Sequence, residues 1–162
     1  MKPAAAPAPV SDNDSTGLSL LRPERPQKWN RTFSVRSEAV RLARLHARTR
    51  LAIAGWPGDQ EQATQIVVEL MKNAIEHVRP QHPEDQLVLN LIVAEDETLL
   101  IAVTDPSPTF PDFLTAITAQ KSTGLAAIRE LGGETTWRPS DDGDTKTVQV
   151  LIRHPSPAAD SH

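Results

Sequence analysis

The segment from Asp59 to Val78 sets the firmest limit on the fold. On a wheel at about 100° per residue, Ile66, Val67, Leu70, Met71, Ala74, Ile75 and Val78 fill one broad apolar arc, with Lys72, Glu76 and Arg79 opposite. An arc this wide has to be covered by a second layer, so the chain cannot stop at isolated helices. Asp59 is placed to cap this helix, and Pro80 follows its end. Glu69, Asn73 and His77 form an i, i+4, i+8 stripe along one margin of the arc. Such a stripe either edges a solvated face or lines a pocket, and the helix alone does not decide which.

The covering layer is legible on both sides of the helix. Trp29, Arg31, Phe33 and Val35 alternate with Asn30, Thr32 and Ser34 as a first strand. Ser37 offers a cap for a helix over Glu38 to Ala54, with Val40, Ala43, Leu45, Ala47, Leu51 and Ile53 toward one side and Gly55-Trp56-Pro57-Gly58 as its stop. Two apolar runs, Leu87 to Ala94 and Thr98 to Asp105, read as a hairpin across Glu95-Asp96-Glu97. After a Pro-punctuated loop, a helix over Thr123 to Leu131 ends at Gly132-Gly133. Strands near Glu134–Arg138 and Lys146–Arg153 flank the turn Asp141-Asp142-Gly143-Asp144. The order β-α-α-β-β-α-β-β implies a two-layer α/β sandwich, its mixed and mainly antiparallel sheet carrying helices on one face.

Composition bounds the rest. The 162 residues suffice for one ordinary core, expected over residues 29–153. Residues 1–28, rich in Pro, Ala, Ser and Asp, and residues 154–162 lack periodic apolar content and read as flexible tails. Within the first, Leu18, Leu20, Leu21 and the RPERP stretch form a linker or a docking segment. A formal charge of -4 argues against general nucleic-acid affinity, and Arg41, Arg44 and Arg48 on one helix face read as a solvated stripe or a contact for an acidic protein. With no cysteine, thiol catalysis, disulfides and Cys-based zinc sites are excluded. No stretch approaches the roughly 20 apolar residues that span a bilayer, so no membrane association and a cytoplasmic protein are expected.

Two further features carry chemistry. Leu99, Ile101, Val103 and Asp105 share one strand parity, which carries a carboxylate inward with three aliphatic side chains. An inward carboxylate needs donors, either backbone amides at the strand end or the exocyclic amine of a base. Lys121-Ser122-Thr123-Gly124-Leu125 precedes an apolar helix, where backbone amides attract phosphate and a glycine permits close approach. Lys121 adds either a phosphate contact or a solvated charge.

In this order the pieces resemble a known superfamily. Glu69-Leu70-Met71-Lys72-Asn73-Ala74-Ile75-Glu76-His77 resembles the N-box of histidine-kinase-like (Bergerat, GHKL) ATPases, Val103-Thr104-Asp105-Pro106-Ser107-Pro108 the G1 segment, and Ser122-Thr123-Gly124-Leu125 the G2 segment. The chain is most similar to the anti-sigma-factor serine/threonine kinase branch. The resemblance implies the Bergerat fold, with ATP and Mg²⁺ as cofactors. By it Glu69 is the catalytic acid that promotes attack on the γ-phosphate, and Asn73 is the Mg²⁺ ligand. Asp105 reads adenine, while Lys121, Ser122, Thr123 and Gly124 close on the phosphates. It further implies a protein kinase that phosphorylates a protein antagonist and binds a sigma factor, with sigma-factor or anti-anti-sigma partners and a homodimer as the assembly. Ser107 and Ser122 stand where these segments carry glycine, which reduces backbone freedom around a nucleotide. That departure keeps open an alternative, a non-catalytic regulator acting by protein–protein binding.

Overall fold

A computed structural model describes residues 23–78, 82–110, 113–118 and 124–154. Nine elements are present among them. They are β1 (Gln27–Ser34), α1 (Glu38–Ala54), α2 (Gln60–His77), β2 (Gln86–Val93), β3 (Leu99–Asp105), α3 (Phe113–Thr118), α4 (Leu125–Glu130), β4 (Glu134–Pro139) and β5 (Lys146–Ile152). The expected order holds with one addition. Helix α3 lies in what reads as loop, because a six-residue helix between prolines and polar residues is too short to leave a period in the sequence.

The five strands form one open sheet in the order β1-β2-β3-β5-β4. All four pairings are antiparallel, so the parallel component expected of a mixed sheet is absent among the described strands. Register follows from burial. Trp29, Leu91, Ile101, Val150 and Thr135 stand opposite one another in turn, so a single row of side chains crosses the sheet on the helix side. Slipping β2 by one residue would turn Leu87, Leu89, Leu91 and Val93 out of a core in which each is buried. The helices cover this face, and one cluster joins Ile66, Val67, Leu70 and Met71 of α2 to the sheet.

Helix α1 packs less of itself than its sequence suggests. Its buried positions are Ala39, Ala43, Ala47, Leu51 and Ala54, a narrow stripe at spacings of three and four that lets it lie close to α2. Leu45 and Ile53, expected on the buried side, are 59% and 67% exposed, because the alanine stripe points elsewhere. Ser37 makes no side-chain capping bond and is itself helical in φ and ψ, so the expected cap is not formed. Asp59 does cap α2, accepting from the Gln62 amide at 3.0 Å, a bond whose loss typically costs about 1 kcal/mol.

The first strand starts at Gln27, and an anchor precedes it. Arg25, its side chain 6% exposed, donates to Glu97 Oε2 at 3.0 and 3.2 Å, and Trp56 Nε1 donates to the Glu97 carbonyl at 2.8 Å. Residues 25–28, read from composition as tail, therefore lie on the folded side of the boundary. Most of the two expected tails, residues 1–22 and 155–162, falls outside the described residues. Among the described residues no helix is long and apolar enough to cross a membrane.

Candidate functional site

The polar stripe of α2 divides. Glu69 and Asn73 are buried, at 4% and 8% exposure, whereas His77 at the helix end is exposed and takes no buried packing role. The difference follows from what faces them. Helix α4 packs across the middle of α2, and the backbone N–H of Gly124, immediately before α4, donates to Glu69 Oε2 at 2.8 Å. Glu69 Oε1 accepts from Gln65 Nε2 at 3.3 Å, one turn back on α2. Gly124 has φ 72° and ψ -156°, a conformation outside the range of L side chains, so its identity as glycine is dictated by the backbone.

Asp105 points inward as its parity predicts, and its partners come from this chain. Lys146 stands directly opposite it in the β3–β5 register and places Nζ 3.0 Å from both Oδ1 and Oδ2. The Ser107 amide donates to Oδ1 at 2.9 Å. Both members of the pair are buried, with side-chain exposures of 1% for Asp105 and 4% for Lys146. Burial pushes the Asp105 carboxyl above its ordinary value, while the hydrogen bond and charge of Lys146 and the Ser107 amide pull the other way.

Lys146 did not stand out in the sequence, although a signal exists. It shares strand parity with the buried Val148 and Val150, so β5 carries an ammonium into the core exactly opposite the inward carboxylate of β3. Its Nζ also lies 5.3 Å from the centre of the Phe110 ring. Phe110 continues into an aromatic cluster, edge-on to Phe113 at 5.3 Å and tilted against Trp137 at 6.1 Å. The cluster links the end of the β3 loop, α3 and β4 beside the Asp105–Lys146 pair.

Of the phosphate-loop candidates, Gly124 is placed beside Glu69, while Lys121, Ser122 and Thr123 lie outside the described residues. Glu69 and Asn73 supply hard oxygen donors one helical turn apart. Among the described residues no group of three or more His, Asp or Glu side chains is arranged to hold a metal. That donor set suits Mg²⁺, which keeps several waters and takes ligand phosphates instead of a protein cage. The arginine stripe of α1 is solvated in part: Arg44 and Arg48 reach Glu61 at 3.3 and 2.6 Å, both pairs well exposed.

A family model described as a histidine kinase-like ATPase domain matches residues 33–150. Among solved structures, the chain is similar to the RsbU and RsbW domains of Rv1364c from Mycobacterium tuberculosis, with a TM-score of 0.58 and 20% identity. That match covers 80% of this chain and 34% of the other, and at this identity it speaks for the fold. No curated protein sequence matches the chain.

Proposed function

The chain belongs to the histidine kinase-like ATPase domain family, and from that premise we propose that it is an ATP-dependent regulatory protein kinase of the anti-sigma-factor type. Family membership implies ATP as its ligand. In this reading the chain phosphorylates a serine or threonine of a protein antagonist and holds a sigma factor when that antagonist does not compete. The observation that carries the reading is the buried Glu69–Asn73 pair of α2 set against Gly124. The similarity to a chain containing RsbW and RsbU domains supports the same branch and protein partners.

Each residue has a definite task in this scheme. Asn73 would hold Mg²⁺, and bound Mg²⁺ would neutralise charge on the phosphate oxygens. Asp105 accepts from the exocyclic amine of adenine. Gly124, with Lys121, Ser122 and Thr123, closes over the phosphates. Glu69 takes the proton of the attacking hydroxyl as its oxygen bonds to the γ-phosphorus and the bond to the bridging oxygen breaks, leaving ADP. Glu69 Oε2 accepts from Gly124 and Oε1 from Gln65, which leaves each oxygen a lone pair able to take the proton.

A specific observation favours a second reading. Asp105 is already partnered within the chain by Lys146 and the Ser107 amide, as it would be in a protein that keeps the fold and regulates by binding alone. The exposed Leu42 and Leu45 beside Arg41, Arg44 and Arg48 give either reading a surface suited to an acidic protein partner. Titration of the purified chain with Mg-ATP, followed by mass spectrometry of a co-purified partner, separates the two. Phosphoserine or phosphothreonine on the partner supports the kinase, whereas tight partner binding with no transfer sinks it.

A further inference from the structure

The acid assigned to base recognition is already occupied. Its carboxylate has the Lys146 ammonium 3.0 Å from each oxygen, as a hydrogen bond to Oδ1 and an ion-pair contact at Oδ2, and a backbone amide donating to Oδ1 at 2.9 Å. A carboxylate offers about four acceptor sites, two on each oxygen, so the two bonds fill Oδ1 and the ammonium lies against Oδ2. The ammonium also lies 5.3 Å from the centre of the Phe110 ring, and no buried side-chain nitrogen or oxygen among the described residues lacks a partner. A pocket built only to wait for a base would present an acceptor with room to spare.

We infer that Lys146 is an internal competitor for the base-reading edge of Asp105, and that it sets nucleotide affinity by having to yield that edge when the base binds. The inference rests on the reading of Asp105 as the adenine contact. Ammonium and exocyclic amine are both N–H donors, and they converge on the same two oxygens. An incoming base therefore competes with Lys146 at Oδ2, where the ammonium stands 3.0 Å away, with Phe110 and its aromatic neighbours shifting to receive the side chain it displaces. Breaking a charge-assisted bond in so dry a place is costly, and the gain from the neutral amine is smaller, so affinity is held down. Lys146 thereby couples the base pocket to the Phe110 segment that leads out of β3.

Removing the ammonium reverses the balance. In Lys146→Met the aliphatic stem is kept, Asp105 is left as a buried acceptor with the Ser107 amide alone, and only a ligand can restore its second donor. Either protonation state of Asp105 retains an oxygen able to accept from an amine. The same release follows in Lys146→Thr, whereas Lys146→Arg keeps a cation on the carboxylate.

The test is calorimetric titration of the full chain and these variants with Mg-ATP, after thermal melts have identified the folded ones. Lys146→Met, or Lys146→Thr should the first not fold, is expected to bind ATP at least about tenfold more tightly than the unmodified chain, a difference of roughly 1.4 kcal/mol. Lys146→Arg should stay close to the unmodified affinity. The double variant Lys146→Met/Asp105→Asn, which removes both charges together and orphans neither, should lose the gain. Unchanged or weaker binding in the single variants, with a further loss in the double, overturns the inference and leaves the base site in place. Equal affinity in Lys146→Met and the double variant overturns the base-site reading and the inference with it.

Discussion

The backbone N–H of Gly124 donates to the carboxylate of Glu69 at 2.8 Å across 55 residues of sequence, joining the start of α4 to the middle of α2. The bond makes one glycine answer two demands. Its φ of 72° and ψ of -156° aim the amide at Glu69, and that backbone conformation is closed to side chains. Gly124→Ala should lower stability by roughly 1–3 kcal/mol, visible as a fall of several degrees in the melting midpoint. A Cβ there would meet no atom within 4 Å, so the loss comes from backbone strain and not from a clash. Gly124→Asn should be no better, because these angles lie outside the left-handed helical region that asparagine tolerates. A melt unchanged by both substitutions would show that α4 repositions freely.

Recognition and chemistry should separate at Glu69. Glu69→Gln keeps a carbonyl oxygen able to accept from Gly124 while removing the basic carboxylate, so the fold and Mg-ATP binding are expected to survive. Phosphotransfer to the partner should fall about 10²–10⁴-fold, the usual cost of a lost general base. Single-turnover assays with isotopically labelled ATP measure the transfer independently of affinity. Transfer at the unmodified rate would remove Glu69 from the mechanism.

What the sequence revealed and what it hid have a common cause. Period and parity act within one element, so α2, the β2–β3 hairpin and the inward direction of Asp105 were all readable. Contacts between elements leave no such period. The pairing of Asp105 with Lys146 depends on β3 lying beside β5, a neighbour 41 residues away, and Lys146 in isolation looks like any strand-edge lysine. Helix α1 misled for a related reason. Its alanines carry the packing, and Leu45 and Ile53, apolar yet exposed, drew the expected face away from them. Glu69 and Asn73 were distinguishable from an ordinary solvated stripe only through their likeness to the N-box, since burial by α4 is a tertiary fact.

The N-terminal anchor gives a stability test. Arg25 is buried against Glu97, whose carbonyl also holds Trp56, so one residue of the β2–β3 turn joins the entry to β1 with the turn after α1. Arg25→Ala should destabilise the fold by about 1.5–3 kcal/mol, the range for hydrogen bonds to a charged group, with the partly exposed Glu97 favouring the lower end. Denaturant unfolding of Arg25→Ala against Arg36→Ala, an exposed arginine in the loop before α1, provides the comparison. Equal midpoints would place the boundary of the folded unit after Arg25.

His46 supplies a test that depends on pH. Its ring lies 6.2 Å from those of Trp29 and Phe33, and Arg50 and Arg31 stack over these two aromatics in turn. Partial burial first, then the charges of Arg31 and Arg50, hold its pKa below the ordinary 6.5. A histidine whose pKa is lower folded than unfolded binds protons more readily in the unfolded chain. Its contribution to stability is therefore complete above pH 6.5 and is lost as pH falls through the lower, folded value. Proton NMR of the His46 ring should give a titration midpoint under 6.5, and Arg31→Gln should raise it by removing the larger of the two charge effects. The same substitution should flatten the loss of stability below pH 6.5, since the folded and unfolded affinities for the proton then draw together. A midpoint at or above 6.5 in the unmodified chain would mean that the arginines stacked on Trp29 and Phe33 do not reach His46 electrostatically, and that the β1–α1 face is more open to solvent than its packing indicates.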